Sequence, residues 1–64
     1  MLIEKRSQIS GKLNAMDIPA TELEITTWYH SGKAIQEVLP HLNADQREFL
    51  MTGITPEEWK AMFD

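Results

Sequence analysis

The sequence predicts a mainly α fold, with three or four short capped helices and an N-terminal β-hairpin or extended arm. Two observations predict the helices. After residue 20, a polar capping residue followed by an acidic first turn and an apolar stripe recurs along the chain, and each such segment ends at a glycine or a proline. A third observation, a possible hairpin loop near residue 10, concerns the N-terminal part. We therefore divide the chain into residues 1–20, the arm or hairpin, and residues 21–64, a small helical domain. A formed hairpin would make the fold α+β.

Residues 1–20 allow two interpretations. A two-residue loop at Ser10-Gly11 would make a hairpin that pairs Ile3 with Ile18 and Lys5 with Met16. The face shared by these strands is only partly apolar, so a flexible arm with extended character is the alternative. In either case the chain is extended before Pro19, because proline disfavours helical backbone in the residue that precedes it.

Two helices are expected in the middle of the chain. Thr21 and Glu24 have the spacing of a capping box, which predicts a helix from this point through about His30. A shorter helix is expected from Lys33 to Val38. Pro40 follows it and prevents its continuation.

The last third of the chain, from Asn43 to Phe63, predicts two helices joined by a sharp corner. Asn43 and Gln46 form one predicted capping box, and Thr55 and Glu58 form another. Gly53 lies between them, where a left-handed residue ends the first helix.

Ile54 is the expected buried pivot of this corner. It follows the glycine, where an apolar contact with Phe49 is typical, and it stands at the position that packs against Trp59 in a hydrophobic staple. The simplest interpretation of Trp28, Phe49 and Trp59 is that they belong to the core. Tyr29 and Phe63 are expected to be partly exposed.

Length and composition limit the function. The chain has 64 residues and no cysteine, so at most one domain is expected, with no disulfide or thiolate metal site. It shows no signal peptide and no apolar run near the ~20 residues that span a bilayer, so we expect a cytoplasmic protein that does not enter membranes. Residues 1–20 carry three basic and two acidic side chains, whereas residues 21–64 carry three basic and eight acidic ones. An acidic body repels phosphate, which makes nucleic-acid binding improbable.

The titratable residues do not predict an active site. His30 and His41 lie on different predicted elements without a second metal ligand at helical spacing, and we expect both to be solvated. Glu57 and Glu58 stand in the first turn of a helix, where capping and the helix dipole explain them. We therefore expect a protein that is not an enzyme, with no catalytic, cofactor-binding or metal-binding residues.

Three stretches of the chain form a recognisable set: Asp17-Ile18-Pro19, Gly32 with Ile35-Gln36, and the run from Leu42 to Trp59. Together they resemble a group of very short proteins encoded in bacteriophage genomes. The resemblance covers about residues 13–64, and its most specific part is Arg47 to Trp59. Lys60 departs from the acidic residue expected there. The resemblance implies a phage or prophage origin and the cytoplasm of the host cell, and it carries over no functional residues.

The leading functional prediction is a small interaction module that binds a host or virion protein through an acidic helical surface. Tyr29, Glu57, Glu58 and Phe63 are its candidate partner-binding residues, because exposed aromatic side chains beside carboxylates suit a protein interface. A core this small gains from pairing, so we also expect a homodimer.

Two alternatives remain open. In the first, the protein is a dimer that binds nucleic acid through a basic N-terminal arm formed by Lys5, Arg6 and Lys12. In the second, it has a structural or scaffolding role in assembly. Steep weakening by salt would indicate the first, and higher oligomers at high concentration would indicate the second.

Overall fold

A β-hairpin followed by four short helices makes up the fold in a computed structural model, which describes residues 1–63. The elements are β1 Leu2–Arg6, β2 Leu13–Asp17, α1 Glu22–Ser31, α2 Ile35–Val38, α3 Ala44–Thr52 and α4 Pro56–Phe63. About half of the chain is helical. The fold is thus an α+β mixture, as in the alternative prediction, and a mainly α description without the hairpin is too narrow.

The two strands are antiparallel and pair in a different register from the one predicted. Ile3 lies opposite Met16 and Lys5 opposite Asn14, so one strand is shifted by two residues along the other relative to the expectation. A shift of two keeps the same side chains on the same face of the sheet, which is why the apolar pattern did not exclude it.

The register differs because the loop is longer than two residues. Ser7 is buried, and its Oγ accepts hydrogen bonds from the backbone N–H groups of Ile9 (3.2 Å) and Ser10 (3.3 Å). The Ser7 carbonyl accepts from the N–H of Gly11, which has a φ of 72°. The serine side chain therefore organises a six-residue connection that replaces the predicted Ser10-Gly11 turn.

Local capping determines where three of the helices begin. In each case the cap side chain accepts from the backbone N–H three residues later, and the side chain at that position accepts from the N–H of the cap. The pairs are Thr21 with Glu24, Asn43 with Gln46, and Thr55 with Glu58. All three predicted capping boxes are confirmed. Helix α2 has no such side-chain cap and begins at Ile35, two residues later than predicted.

One hydrophobic cluster joins the hairpin to the helices. Its buried members come from the segment after β2, from α2 and the segment after it, and from α3: Ile18, Ala20, Ile35, Leu39, Leu42, Phe49 and Leu50. Ile3 and Met16 from the hairpin pack against this cluster. The first twenty residues therefore contribute directly to the core. No helix within residues 1–63 combines the length and the apolar character needed to cross a bilayer.

Candidate functional site

The corner between α3 and α4 has the left-handed glycine and the buried isoleucine that the sequence predicts. Gly53 has a φ of 75°, and its N–H donates to the carbonyl of Phe49 at 2.8 Å, which ends α3 with a left-handed residue. Ile54 is buried directly after it. Thr55 then caps α4, so two residues separate the end of one helix from the cap of the next.

The hairpin holds this corner from one side. The Lys5 ammonium donates to the carbonyl of Leu50 at 2.9 Å, and the Asn14 amide donates to the carbonyl of Gly53 at 3.0 Å. Carbonyls at a helix C-terminus have no partner within the helix, so the hairpin supplies what the end of α3 lacks. These contacts fix the direction in which α4 leaves the corner.

Glu58 connects the hairpin to α4. One carboxylate oxygen accepts from the Asn14 amide at 2.5 Å and from the Thr55 N–H at 3.3 Å, and the other accepts from the Ser10 hydroxyl. The hydrogen bond from Ser10 is the main cause that lowers the pKa of the Glu58 carboxyl, with further contributions from Thr55 and Asn14, while partial desolvation opposes them. Glu58 therefore has a structural role, because its carboxylate joins α4 to the hairpin.

A groove of about 250 Å³ lies on the other side of the corner, between α3 and α4. We call it the α3–α4 groove. It is lined by Ala44, Asp45, Glu48, Ile54, Pro56 and Trp59. Asp45 and Glu48 are three residues apart on α3 and therefore project from the same face of that helix. The groove combines apolar side chains and an indole with two carboxylates.

The two carboxylates of the groove have no cationic partner in the part of the chain that the structure describes. There, the ion pair that forms joins the amino group of Met1 to Asp17 at 3.1 Å. No Lys or Arg side chain among residues 1–63 comes within ion-pair distance of Asp45 or Glu48. The groove therefore keeps its negative charge available to a ligand.

Trp59 is placed differently from the core position predicted for it. Phe49 is fully buried and Trp28 packs against the core, whereas Trp59 is only partly buried and lines the groove. Its ring stacks on that of Phe63, with centroids 5.1 Å apart and planes inclined by 16°. Because Phe63 is 69% exposed, the stacked pair extends the aromatic surface of α4 into solvent.

The four predicted partner-binding residues lie on two helices, α1 and α4. Tyr29 is 62% exposed, but it accepts a hydrogen bond from Lys5 and lies beside Trp28 on α1. Glu57 is exposed on α4, where Phe63 also lies, and Glu58 faces the hairpin. The structure therefore brings Glu57 and Phe63 to one helix and places Tyr29 elsewhere.

The three residues of the basic alternative also separate. The Lys5 ammonium is bound to Leu50 and Tyr29 and lies 5.7 Å from the centre of the Tyr29 ring. Arg6 is on the opposite face of β1 and donates to the carbonyl of Gly11 at 3.0 Å. Lys12 is exposed in the hairpin loop. Two of the three cations thus have partners within the chain.

Sequence reasoning missed Asp45 and Glu48. Their spacing on a predicted helix placed them on one face, but nothing in the sequence showed that Trp59 would lie across from that face.

Among the residues described, no three His, Asp or Glu side chains cluster in a way that could hold a metal ion. The chain matches no protein-family model, no curated protein and no solved structure.

Proposed function

We propose that this protein is a small non-enzymatic module that binds another protein through the surface formed by α3 and α4. The observation that carries the proposal is the α3–α4 groove, which is lined by Trp59 and by two acidic residues that lack a cationic partner among the described residues. A tryptophan next to uncompensated charge is typical of a protein interface, because tryptophan supplies much of the binding energy in many complexes. Phe63, whose ring stacks on that of Trp59, continues this surface along α4, and Glu57 adds a further carboxylate in the first turn of that helix.

The sign of the charge favours a protein partner over a nucleic acid. Residues 21–64 carry eight acidic and three basic side chains, and the groove itself is acidic. Such a surface repels phosphate groups. Lys5 and Arg6, which the nucleic-acid alternative requires, donate hydrogen bonds to backbone carbonyls of the same chain.

The state of Glu58 supports a structural role for this residue over a catalytic one. Both of its oxygens accept hydrogen bonds from the chain's own donors, and these bonds favour the ionised form. A carboxylate held in this way serves poorly as a general acid, which needs a raised pKa.

The resemblance to short phage proteins supplies the biological setting of the proposal. We place the protein in the cytoplasm of an infected bacterium, where its partner is a host or virion protein. Pairing of two copies through the exposed end of α4 belongs to the same proposal.

Affinity capture tests the proposed function. The tagged protein is incubated with bacterial lysate, and captured proteins are identified by mass spectrometry. Glu48→Lys inverts a charge in the groove, and Glu4→Lys inverts one on the exposed outer face of the hairpin. We expect a partner that the parent and Glu4→Lys capture and that Glu48→Lys loses, with unchanged circular dichroism. Equal capture by all three proteins would contradict the proposal.

A further inference from the structure

The shape of the α3–α4 groove restricts what can enter it. Its volume of about 250 Å³ is below the ~300–1,000 Å³ of most small-molecule sites. Ala44, Ile54 and Pro56 give it an apolar lining, so a chain of methylene groups can lie there without losing hydrogen bonds. A single long side chain fits these dimensions better than a cofactor does.

The charges of the groove specify the end of that side chain. Asp45 and Glu48 line the groove together with Trp59, and no cation of the described chain forms an ion pair with them. An indole face attracts cations more strongly than the other aromatic rings do, and a carboxylate adds charge-assisted hydrogen bonds. The complementary group is therefore a cation that can stack and donate hydrogen bonds at the same time.

We propose that the α3–α4 groove receives an arginine side chain of the partner protein. This inference rests on the proposed function and names the chemistry of the contact. The planar guanidinium stacks on an aromatic ring while its N–H groups reach a carboxylate, and it is more weakly hydrated than an ammonium. The aliphatic part of the arginine lies along Ile54 and Pro56.

The chain's own arginines are placed elsewhere. Arg6 donates to Gly11 in the hairpin loop. Arg47 lines an adjoining depression, which shares Ala44 and Glu48 with the groove, and it is not among the residues that line the groove itself. Neither guanidinium occupies the groove, which leaves it to a group from outside the chain.

Two-dimensional ¹H–¹⁵N NMR tests this inference, because the chain has two tryptophans in different places. The probe is the blocked tripeptide acetyl-Gly-Arg-Gly-amide, and the control is the same peptide with citrulline, which keeps the shape of arginine and removes its charge. We expect the indole N–H of Trp59 to shift in a saturable manner with the arginine peptide and much less with the citrulline peptide. The indole of Trp28, on α1, should not move.

Matched variants locate the contact. Glu48→Gln should weaken binding of the arginine peptide by ~3–5-fold, since it removes one partly exposed charge from the groove. Glu37→Gln, which removes an exposed carboxylate from α2, should leave the affinity unchanged.

Three results would overturn the inference. The first is an equal shift of Trp59 with both peptides. The second is no shift of Trp59 at up to about 50 mM arginine peptide. The third is a Trp59 shift that dilution of the protein alone reproduces, which would assign the groove to a second copy of this chain. If the peptide fails while Glu48→Lys still abolishes capture of a partner, the arginine contact is wrong and the proposed function stands. If Glu48→Lys leaves capture of the partner unchanged and the arginine peptide does not shift Trp59, the arginine contact and the proposed function are both wrong.

Discussion

The backbone carbonyl of Arg6 in β1 lies against Gly53 at the corner between α3 and α4. A Cβ on Gly53 would overlap the Arg6 carbonyl oxygen and come within 2.7 Å of the carbonyl carbon. Glycine is therefore required at position 53 for two reasons. The backbone there is left-handed, and the hairpin passes so close that it leaves no room for a side chain. The hairpin and the corner can keep this distance only while position 53 lacks a side chain.

Gly53→Ala should be much more destabilising than Gly32→Ala. Both glycines have similar φ values, 75° and 70°, but nothing lies within 4 Å of a Cβ added to Gly32. The Gly32 variant should lose ~1 kcal/mol from backbone strain alone. The Gly53 variant should lose ~2–4 kcal/mol, because the backbone must also move. Urea denaturation of both variants measures the difference, and equal losses would show that the contact with Arg6 contributes nothing.

Ile54→Ala should be among the most destabilising single changes in the corner. Ile54 is 4% exposed and lies between the end of α3 and the start of α4, where it also lines the groove. Its truncation should cost ~2–4 kcal/mol of unfolding free energy. Ile9→Ala, in the exposed hairpin loop, is the matched control and should cost little. A melting temperature within one or two degrees of the parent would refute the role of Ile54 as a pivot.

Lys5→Met should destabilise the fold although it preserves the aliphatic part of the side chain. The change removes the charged donor from the Leu50 carbonyl and from the Tyr29 hydroxyl. A hydrogen bond of this kind contributes ~1.5–3 kcal/mol when one partner is charged. Lys12→Met, at an exposed loop position, should have no measurable effect on thermal melting. If the two variants melt alike, the connection between Lys5 and the end of α3 is not stabilising.

Stability should decrease in acid partly because of Glu58. Its pKa is lower in the folded protein than the ordinary value of 4.5, so the ionised form stabilises the fold. This contribution is fully present above pH 4.5 and is lost as the pH falls through the lowered pKa. The melting temperature of Glu58→Gln should thus be below that of the parent at pH 7, and the gap should narrow toward pH 3. Glu57→Gln removes a neighbouring charge without any of these hydrogen bonds, and a similar narrowing in that variant would assign the effect to the helix dipole.

Self-association should raise the melting temperature as the protein concentration increases. Helix α4 has no buried residue, and Met62 and Phe63 are exposed on it. Pairing of two copies would cover them and would stabilise the folded state by mass action. Phe63→Gln should remove the concentration dependence. Sedimentation that shows a monomer at high concentration would contradict this prediction.

The parts of the fold that could be predicted are those that neighbouring residues determine. A capping box needs only a hydroxyl or amide and a Glu or Gln three residues later, so Thr21, Asn43 and Thr55 identified their helices correctly. The left-handed Gly53 followed from the same local logic.

The register of the hairpin and the groove depend on contacts between distant residues. Both the predicted and the observed register place Ile3 and Met16 on the inner face, and the difference arises from the buried Ser7 in the loop. The groove exists because α4 leaves the corner in a direction that the hairpin fixes. No pattern within Asp45 to Trp59 contains that direction, so its lining could not be predicted from the sequence.

The hydrogen bonds between the hairpin and the corner also affect the order of folding. Lys5 meets Leu50 across 45 positions, and Ser10 meets Glu58 across 48. An isolated two-stranded hairpin is only marginally stable in water, so β1 and β2 gain their support from a segment that follows them by 45 to 48 positions in the chain. During translation, the first twenty residues should therefore not form stable structure until Glu58 has left the ribosome. Closing so long a loop makes folding slower than the helical content alone suggests.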